Sequence, residues 1–222
     1  LKDNRLHSLL ELTNAINANL AIDQLYRIFT FIMKEQLNFS RFALLMAQEE
    51  WELAAKSGYK GKITPNDLAQ ELQRFKDITL VASSNSPQLK DFQAVIPIFH
   101  QERALAFLLL ATPGKTEYLE PQHFSFAQTL TNILSVAIEN RRLTKQNLIQ
   151  ERISKELELA SEMQKLLFPQ ELPSNKKMDL SGKYIPRHAI GGDYYDFIPL
   201  GDEEYIICIG DVSGKGITAA ML

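Results

Sequence analysis

Cysteine is almost absent from this 222-residue sequence, and its scarcity limits the classes of protein that the chain can encode. A single cysteine, Cys208, leaves no internal disulfide and favours a reducing, cytoplasmic compartment. Its position in a short apolar stretch predicts a buried thiol that packs in a core rather than a reactive one.

Long hydrophobic runs and a strong charge imbalance are also missing. The apolar run at residues 105–111 has the length of a strand, and no run approaches the roughly 18 residues of a membrane span. The formal net charge of −3 argues against a surface that binds nucleic acid. With 45% hydrophobic residues, the chain can instead bury a full core and should hold one complete domain plus additional sequence.

Two strand-like stretches near the carboxy terminus predict a hairpin. Residues 193–200 and the buried-type stretch 205–209 flank a glycine-containing loop at residues 201–204. The hairpin would bring Asp193 close to Asp211, and each follows a glycine that leaves room for a metal ion and its waters. Two adjacent carboxylates repel each other unless a cation neutralises them, and Mg²⁺ or Mn²⁺ suits such oxygen ligands. We therefore predict half of a metal site here.

The motifs around this hairpin resemble those of the SpoIIE/RsbU-type serine phosphatases in the metal-dependent PPM superfamily. GGDYYDF at residues 191–197 is followed by IGDVSGKGITAAML at residues 209–222. The segment LASEMQKLLFP at residues 159–169 matches the lead-in of the same group. The order and spacing of the segments are typical of the family.

The resemblance implies a catalytic domain that uses two Mn²⁺ or Mg²⁺ ions and acts on phosphoserine or phosphothreonine. It assigns metal-ligand roles to the carboxylates of Asp193 and Asp211 and to the backbone carbonyl of Val212. Gly192 and Gly210 would be supporting glycines. Two adjacent metal ions activate a water molecule and clamp the transferring phosphoryl group.

The same resemblance indicates that the catalytic domain is incomplete in this sequence. The family's other acidic ligands lie farther downstream than Leu222, so residues 171–222 correspond to the first part of a PPM-type α/β sandwich. The sequence also begins at Leu1 without an initiating methionine, as expected for an excised fragment. We expect the fragment alone to be catalytically inactive and its parent to be a phosphatase. Phosphate release by the isolated fragment in Mn²⁺ would refute the first expectation.

Other functions compete for the same features. GGDYY also resembles the GGDEF signature of diguanylate cyclases, but Tyr194 and Tyr195 stand in place of Glu and Phe, and residues 176–190 supply none of that family's other ligands. A histidine kinase would need a phospho-accepting histidine in its long helix, and residues 124–168 contain none. A non-catalytic signalling dimer with a degenerate phosphatase-like end is the remaining alternative.

Residues 1–123 show the element order of a small sensor domain. Two helical stretches precede a series of strands, a helix at residues 66–75 interrupts that series, and another helix follows it. The predicted strands lie at residues 41–47, 51–56, 78–83, 92–99 and 103–112. This order resembles a GAF domain, an antiparallel sheet flanked by helices that senses a ligand or partner. The predicted fold class of the chain is α+β.

The GAF-like part carries no signature of a particular ligand. It has no cysteine to attach a bilin and no Asn-Lys-Phe-Asp-Glu signature of the relatives that bind cyclic nucleotides. His7, His100 and His123 lack metal-ligand spacing. Trp51 and Phe75 would line a pocket or, more commonly for such residues, pack in the core. A small-molecule ligand, a protein partner and simple dimerisation are therefore all open.

Residues 124–170 predict a long helical linker, because neither glycine nor proline interrupts residues 124–168 and Pro169 then ends the helix. Residues at three–four spacing predict a coiled-coil seam, namely Asn140, Leu143, Asn147, Gln150, Ile153, Leu157, Ala160, Met163 and Leu167. Polar seam residues fix the register and lower the stability of a coiled coil. We expect a parallel homodimer whose weak middle section acts as a switch.

Together these features predict a sensor-regulated, metal-dependent protein serine/threonine phosphatase of the bacterial cytoplasm. A GAF-like input would act through a coiled-coil transmitter on a PPM-type output. By resemblance, the substrate would be the phosphoserine form of an STAS-domain anti-sigma-factor antagonist in a partner-switching pathway. A signal would move residues 156–168 against the catalytic domain and change its metal occupancy.

Overall fold

The structure is a computed structural model that describes residues 2–39, 41–81, 86–111, 121–186, 189–201 and 204–212. The chain divides into two compact units, Leu1–Leu143 and Thr144–Leu222. None of the helices within the described ranges is both long enough and apolar enough to cross a membrane.

The described residues form helices and strands in the predicted order. The helices are α1 Lys2–Asn17, α2 Ile22–Phe31, α3 Pro65–Leu72 and α4 Pro121–Leu167. A π-helical segment, Ile32–Gln36, continues α2. The strands are β1 Arg41–Ala47, β2 Trp51–Ser57, β3 Thr79–Leu80, β4 Ala94–His100, β5 Arg103–Ala111, β6 Asp193–Pro199 and β7 Tyr205–Asp211. Residues 82 and 83 of the predicted third strand lie outside the described residues.

The first unit is built on a five-stranded sheet in the order β2-β1-β5-β4-β3, and every pairing in it is antiparallel. The central strands β1 and β5 run side by side from the pair Arg41–Ala111 to the pair Met46–Ala106. Both faces of these two strands are covered, which explains why their sequences are continuous apolar runs without alternation. The predicted antiparallel sheet flanked by helices is confirmed.

One face of the sheet packs against α1, α2 and the first part of α4. Leu25 and Phe29 of α2 and Leu130 and Leu134 of α4 are fully buried in this core. The ring of Phe29 meets that of Phe42 edge to face, with centroids 6.1 Å apart. Aromatic pairs prefer this arrangement, and complete burial of each ring adds about 1.5–3 kcal/mol of stabilisation.

The other face of the sheet is covered by α3 and by aromatic residues from the loops. Leu68 of α3 is fully buried there, and Pro65 at the start of that helix has the fixed φ that a first helical turn favours. Trp51 stacks on Phe107 with ring centroids 5.1 Å apart, and Phe75 packs against the same cluster. Trp51 and Phe75 are half-buried and pack against this core, and Trp51 also lines a cavity of about 320 Å³, so Trp51 has both of its predicted roles.

Arg141 fastens α4 to the end of α1 within the first unit. Its guanidinium donates hydrogen bonds to the carbonyl oxygens of Leu20 (2.5 Å) and Ile16 (2.9 Å). Ile16 lies in the last turn of α1 and Leu20 in the loop that follows it, and a cation suits the carboxy-terminal end of a helix. On the neighbouring turn, hydrogen bonds from Arg142 lower the pKa of Glu139. The first part of α4 is thus tied to the rest of the first unit by charged groups as well as by apolar packing.

In the second unit, β6 and β7 form a two-stranded antiparallel sheet. The prediction that residues 205–209 are a buried strand is wrong on burial, although β7 does form. Ile207 is 57% exposed, Ile209 is 83% exposed, and the thiol of Cys208 is exposed rather than packed in a core. Among the described residues β7 pairs only with β6. The strand is therefore part of a two-stranded ribbon, although its apolar sequence is typical of a central strand.

Candidate metal centre

The hairpin of β6 and β7 brings the two predicted acidic residues together. Asp193 is the register partner of Asp211, and the pairing continues without a shift to Pro199 and Tyr205. Directly paired residues of an antiparallel ribbon project to the same side, so both carboxylates lie on one face at the open end of the hairpin. The predicted approach of Asp193 to Asp211 is confirmed. Residues 213–222 of the second motif lie outside the described residues.

The backbone around this pair is held close by Gly192. The amide of Val212 donates a hydrogen bond to the carbonyl of Gly192 at 3.0 Å. A β-carbon built on Gly192 would lie 2.7 Å from the carbonyl oxygen of Val212 and 3.6 Å from Oδ1 of Asp211. Glycine at 192 is thus required for the close approach of the Val212 carbonyl. A β-carbon on Gly210, in contrast, would meet no atom within 4 Å.

The chemistry of these donors fits a hard divalent cation. Asp193 and Asp211 offer carboxylate oxygens, Val212 offers a carbonyl oxygen, and both aspartates are exposed to solvent. Mg²⁺ and Mn²⁺ prefer such oxygen ligands in octahedral geometry and retain water in the other positions. The described residues contain no group of three or more histidine, cysteine, aspartate or glutamate side chains suited to a metal ion. The residues present therefore supply part of an oxygen set.

A cavity of about 870 Å³ extends along the face of the hairpin that carries the two carboxylates. Its walls are mainly apolar and aromatic, including Tyr184, Tyr195 and Phe197, and Asp193 and Asp211 line it as well. Burial, and after it the charge of Asp193, raises the pKa of Tyr184. The carboxylates therefore border a space that is large enough to admit a ligand next to them.

The sequence is similar to two curated proteins, although no family model matches it. It is 39% identical over 74 residues to phosphoserine phosphatase RsbU of Bacillus subtilis, a match that spans 33% of this chain and 22% of RsbU. It is 38% identical over 66 residues to protein IcfG of Synechocystis, spanning 30% of this chain and 10% of IcfG. The matches thus cover about a fifth and a tenth of these relatives.

Solved structures match the larger part of the chain. The GAF domain of a phosphoenolpyruvate-protein phosphotransferase from Coxiella burnetii superposes with a TM-score of 0.51 at 21% identity, covering 64% of this chain and 96% of that domain. The phycoerythrobilin-bound GAF domain of a cyanobacterial phytochrome gives a TM-score of 0.50 at 15% identity, covering 65% and 100%. The chain joins a GAF fold to sequence similar to RsbU. We call Leu1–Leu143 the GAF unit.

The nine predicted seam residues of α4 differ in how far their side chains are exposed to solvent. The first four, three of which are polar, are exposed, namely Asn140, Leu143, Asn147 and Gln150. Ile153 is 51% exposed, Met163 55% and Leu167 51%. Ala160 is instead buried at 8% exposure against Ile190, with Leu157 packed beside them. The part of α4 that follows the GAF unit thus packs one face against other residues of the second unit. Another face, which is partly apolar, is exposed to solvent.

The sequence analysis did not predict which residues attach the end of α4 to the segment GGDYYDF, residues 191–197, which we call the glycine motif. The ring of Phe168 lies 4.5 Å from that of Tyr184 and 5.0 Å from that of Tyr195, centroid to centroid. Phe168 is 8% exposed, and Gln164 on the same helical face is 5% exposed. The LASEMQKLLFP segment carried a signal for this role, since Gln164 and Phe168 are spaced four residues apart.

Proposed function

We propose that this chain is part of a sensor-regulated, metal-dependent protein serine/threonine phosphatase. The observation that carries the proposal is the register pairing of Asp193 with Asp211, beside the carbonyl of Val212, in a chain similar to a phosphoserine phosphatase. The GAF unit would be the sensor. Phosphate release by the full-length protein in Mn²⁺ is the direct test of this function.

The described residues would contribute ligands and geometry to the reaction. Asp193 and Asp211 would hold Mn²⁺ or Mg²⁺ through their carboxylates, and Val212 would add its carbonyl oxygen to the site of a second ion. When bound, two such ions supply Lewis acidity that lowers the pKa of water and offsets charge on a phosphoryl group. The hydrogen bond between Val212 and Gly192 would fix the carbonyl in place, and the cavity beside the carboxylates would admit the phosphorylated side chain.

The proposed substrate is a phosphoserine protein of the bacterial cytoplasm. RsbU is by its description a phosphoserine phosphatase, and the shared sequence supports the same class of substrate here. We propose the phosphorylated form of an STAS-domain anti-sigma-factor antagonist, which would place the chain in a partner-switching pathway. A small molecule or a protein bound to the GAF unit would set the activity.

The change of Gly192 to alanine tests the geometry at the carboxylate pair. Gly192→Ala should weaken Mn²⁺ binding by about 10-fold or more, the usual scale for losing a group that orients metal ligands. The reason is that the new methyl group would lie 2.7 Å from the Val212 carbonyl oxygen and would displace it. Titration with Mn²⁺ measures the effect. Gly201→Ala is the matched control, because a β-carbon there meets no atom within 4 Å. Equal affinities for the two variants would contradict the proposed ligand geometry.

We also propose that α4 pairs with its counterpart in a second copy of the chain. The support is a set of exposed apolar side chains on one face of the helix after the GAF unit, namely Ile149, Ile153, Met163 and Leu167. The ion pairs Arg152–Glu156 and Lys155–Glu151 lie four residues apart and reinforce the helix at its exposed surface. A parallel two-stranded coiled coil would cover the apolar side chains.

The double change of Ile153 and Met163 to glutamate should convert the dimer to a monomer. Each buried apolar side chain contributes about 1.5–3 kcal/mol, so losing two should raise the dissociation constant by about 100-fold or more. Sedimentation equilibrium over a concentration series measures that constant. Ser154→Glu, a change to the same residue at an exposed polar position, should leave it within about 3-fold, as most surface substitutions do. A monomeric wild-type chain at all concentrations would exclude the proposed pairing.

A non-catalytic signalling dimer is the second candidate function. It differs from the phosphatase in whether the full-length protein supplies further acidic ligands beside the Asp193–Asp211 pair. In the signalling dimer the phosphatase-like end would bind a partner without hydrolysing it. Full-length protein that binds Mn²⁺ and the phosphoprotein but releases no phosphate would support this candidate over the phosphatase.

A further inference from the structure

A buried glutamine on α4 contacts the backbone of the glycine motif. Gln164 is 5% exposed, and its Nε2 donates a hydrogen bond of 2.6 Å to the carbonyl oxygen of Gly191. Its Oε1 accepts hydrogen bonds from the amide of Gly191 at 3.4 Å and from the hydroxyl of Tyr184 at 3.2 Å. One side-chain amide therefore pairs with both backbone groups of a single residue.

The residue that Gln164 contacts leads directly into the candidate metal centre. Gly191 precedes Gly192, which contacts Val212, and Asp193 follows as the first residue of β6. A displacement of the Gly191 backbone would therefore be passed to the first carboxylate within two residues. Loss of a group that orients metal ligands by hydrogen bonding typically lowers the metal affinity of a site by about 10–100-fold.

Apolar contacts on both sides of Gln164 support the same attachment. One turn before it, Ala160 packs against Ile190, and one turn after it, Phe168 packs against Tyr184. A shift of α4 by one residue moves its side chains about 1.5 Å along the helix axis. Such a shift would disrupt the hydrogen bonds of Gln164, because these bonds weaken steeply when the distance and the alignment of donor and acceptor change.

We propose that Gln164 is a positioning residue that couples the position of α4 to the placement of Asp193. With α4 in its present register, the amide of Gln164 holds Gly191 and keeps the Asp193 carboxylate opposite that of Asp211. Displacement of α4 releases Gly191 and lowers the affinity of the site for a divalent cation. This inference rests on the proposed metal-dependent function and identifies the contact through which a signal would reach the metal ligands.

The test compares Gln164→Leu and Gln164→Glu with Gln146→Leu in the full 222-residue chain. The leucine variant loses all three hydrogen bonds, and the glutamate variant keeps the shape but replaces the donor to Gly191 with an acceptor. Gln146→Leu is the matched control, since Gln146 is an exposed glutamine on the same helix. The readouts are Mn²⁺ affinity, from the paramagnetic broadening of the amide signals of Asp193 and Asp211, and the metal-free amide shifts of Gly191 and Gly192.

We expect Gln164→Leu to weaken Mn²⁺ binding by about 10-fold or more, and Gln164→Glu to weaken it by a smaller factor. Both variants should shift the amide signals of Gly191 and Gly192, whereas Gln146→Leu should change neither readout. If Gln164→Leu lowers the helical circular dichroism, the isosteric Gln164→Glu decides the outcome. Variants of Gln164 with wild-type affinity and unshifted glycine signals would overturn the proposal.

The two measurements, Mn²⁺ affinity and the metal-free amide shifts, distinguish a failure of this proposal from a failure of the proposed function. If the wild-type chain shows no Mn²⁺ broadening at Asp193 and Asp211, the metal site itself fails. The amide shifts of Gly191 and Gly192 then still decide whether Gln164 positions the glycine motif. Shifts confined to the Gln164 variants support the positioning role, and unchanged shifts reject it.

Discussion

Full-length protein with Asp211→Asn should lose Mn²⁺-dependent phosphate release by at least about 100-fold, because removing even an outer partner of a metal ligand costs about 10–100-fold. Asparagine keeps the size of the side chain and removes the negative charge and one strong oxygen donor. Asp211 lies opposite Asp193 in the hairpin register, so the variant would remove one of the two paired carboxylates. The assay is phosphate release from a phosphoserine STAS-domain protein in Mn²⁺.

Asp179→Asn is the matched control for that experiment. Asp179 is an exposed aspartate of the same unit that lies outside the β6–β7 hairpin, and its removal should leave phosphate release within about 3-fold, as is usual for surface substitutions. Undiminished activity of Asp211→Asn would reject the metal assignment. A wild-type protein that binds Mn²⁺ but releases no phosphate would point to the non-catalytic signalling dimer.

Phe29→Ala should destabilise the GAF unit by about 3–5 kcal/mol, the usual cost of truncating a buried phenylalanine to alanine. The side chain is fully buried, and it packs edge to face with Phe42 at the centre of the core. The truncation would remove both the apolar burial and the aromatic contact and would leave a cavity between α2 and the sheet. Urea unfolding followed by the fluorescence of Trp51, the single tryptophan, reports on this unit alone.

Phe31→Ala supplies the comparison on the same helix. Phe31 is 51% exposed, so its truncation should lower the free energy of unfolding by less than about 1 kcal/mol. A similar loss of stability in the two variants would show that α2 does not pack on the sheet through Phe29. The contrast between the two phenylalanines therefore tests which face of α2 packs on the sheet.

Much of the GAF fold was predictable because its signals are local. Leucines at 68 and 72 marked the buried side of α3, and Pro65 marked its start. The apolar runs at residues 41–47 and 103–112 predicted two strands, which form as β1 and β5. The pairing order β2-β1-β5-β4-β3 was not predicted, because strands that are neighbours in the sheet but far apart in sequence leave no local signal.

The hairpin was also predictable, but the burial of its strands was not. The spacing of the two motifs fixed the approach of Asp193 to Asp211, since a short loop allows few registers. The composition of β7 gave a wrong expectation for Cys208, because β-branched residues favour a strand whether or not another layer covers it. Composition reports the propensity to form a strand, whereas exposure depends on what packs against it.

The sequence by itself determined the order of the helices and strands, the hairpin that pairs Asp193 with Asp211, and the long helix that ends before Pro169. These features depend on residues that are close together along the chain. Tertiary structure alone decided that Gln164 pairs with Gly191, 27 positions away, and that Gly192 rather than Gly210 lies against the Val212 carbonyl. The physical reason is that helical periodicity places Gln164 on a face of α4, whereas its partner is set by how the segments of the unit pack together.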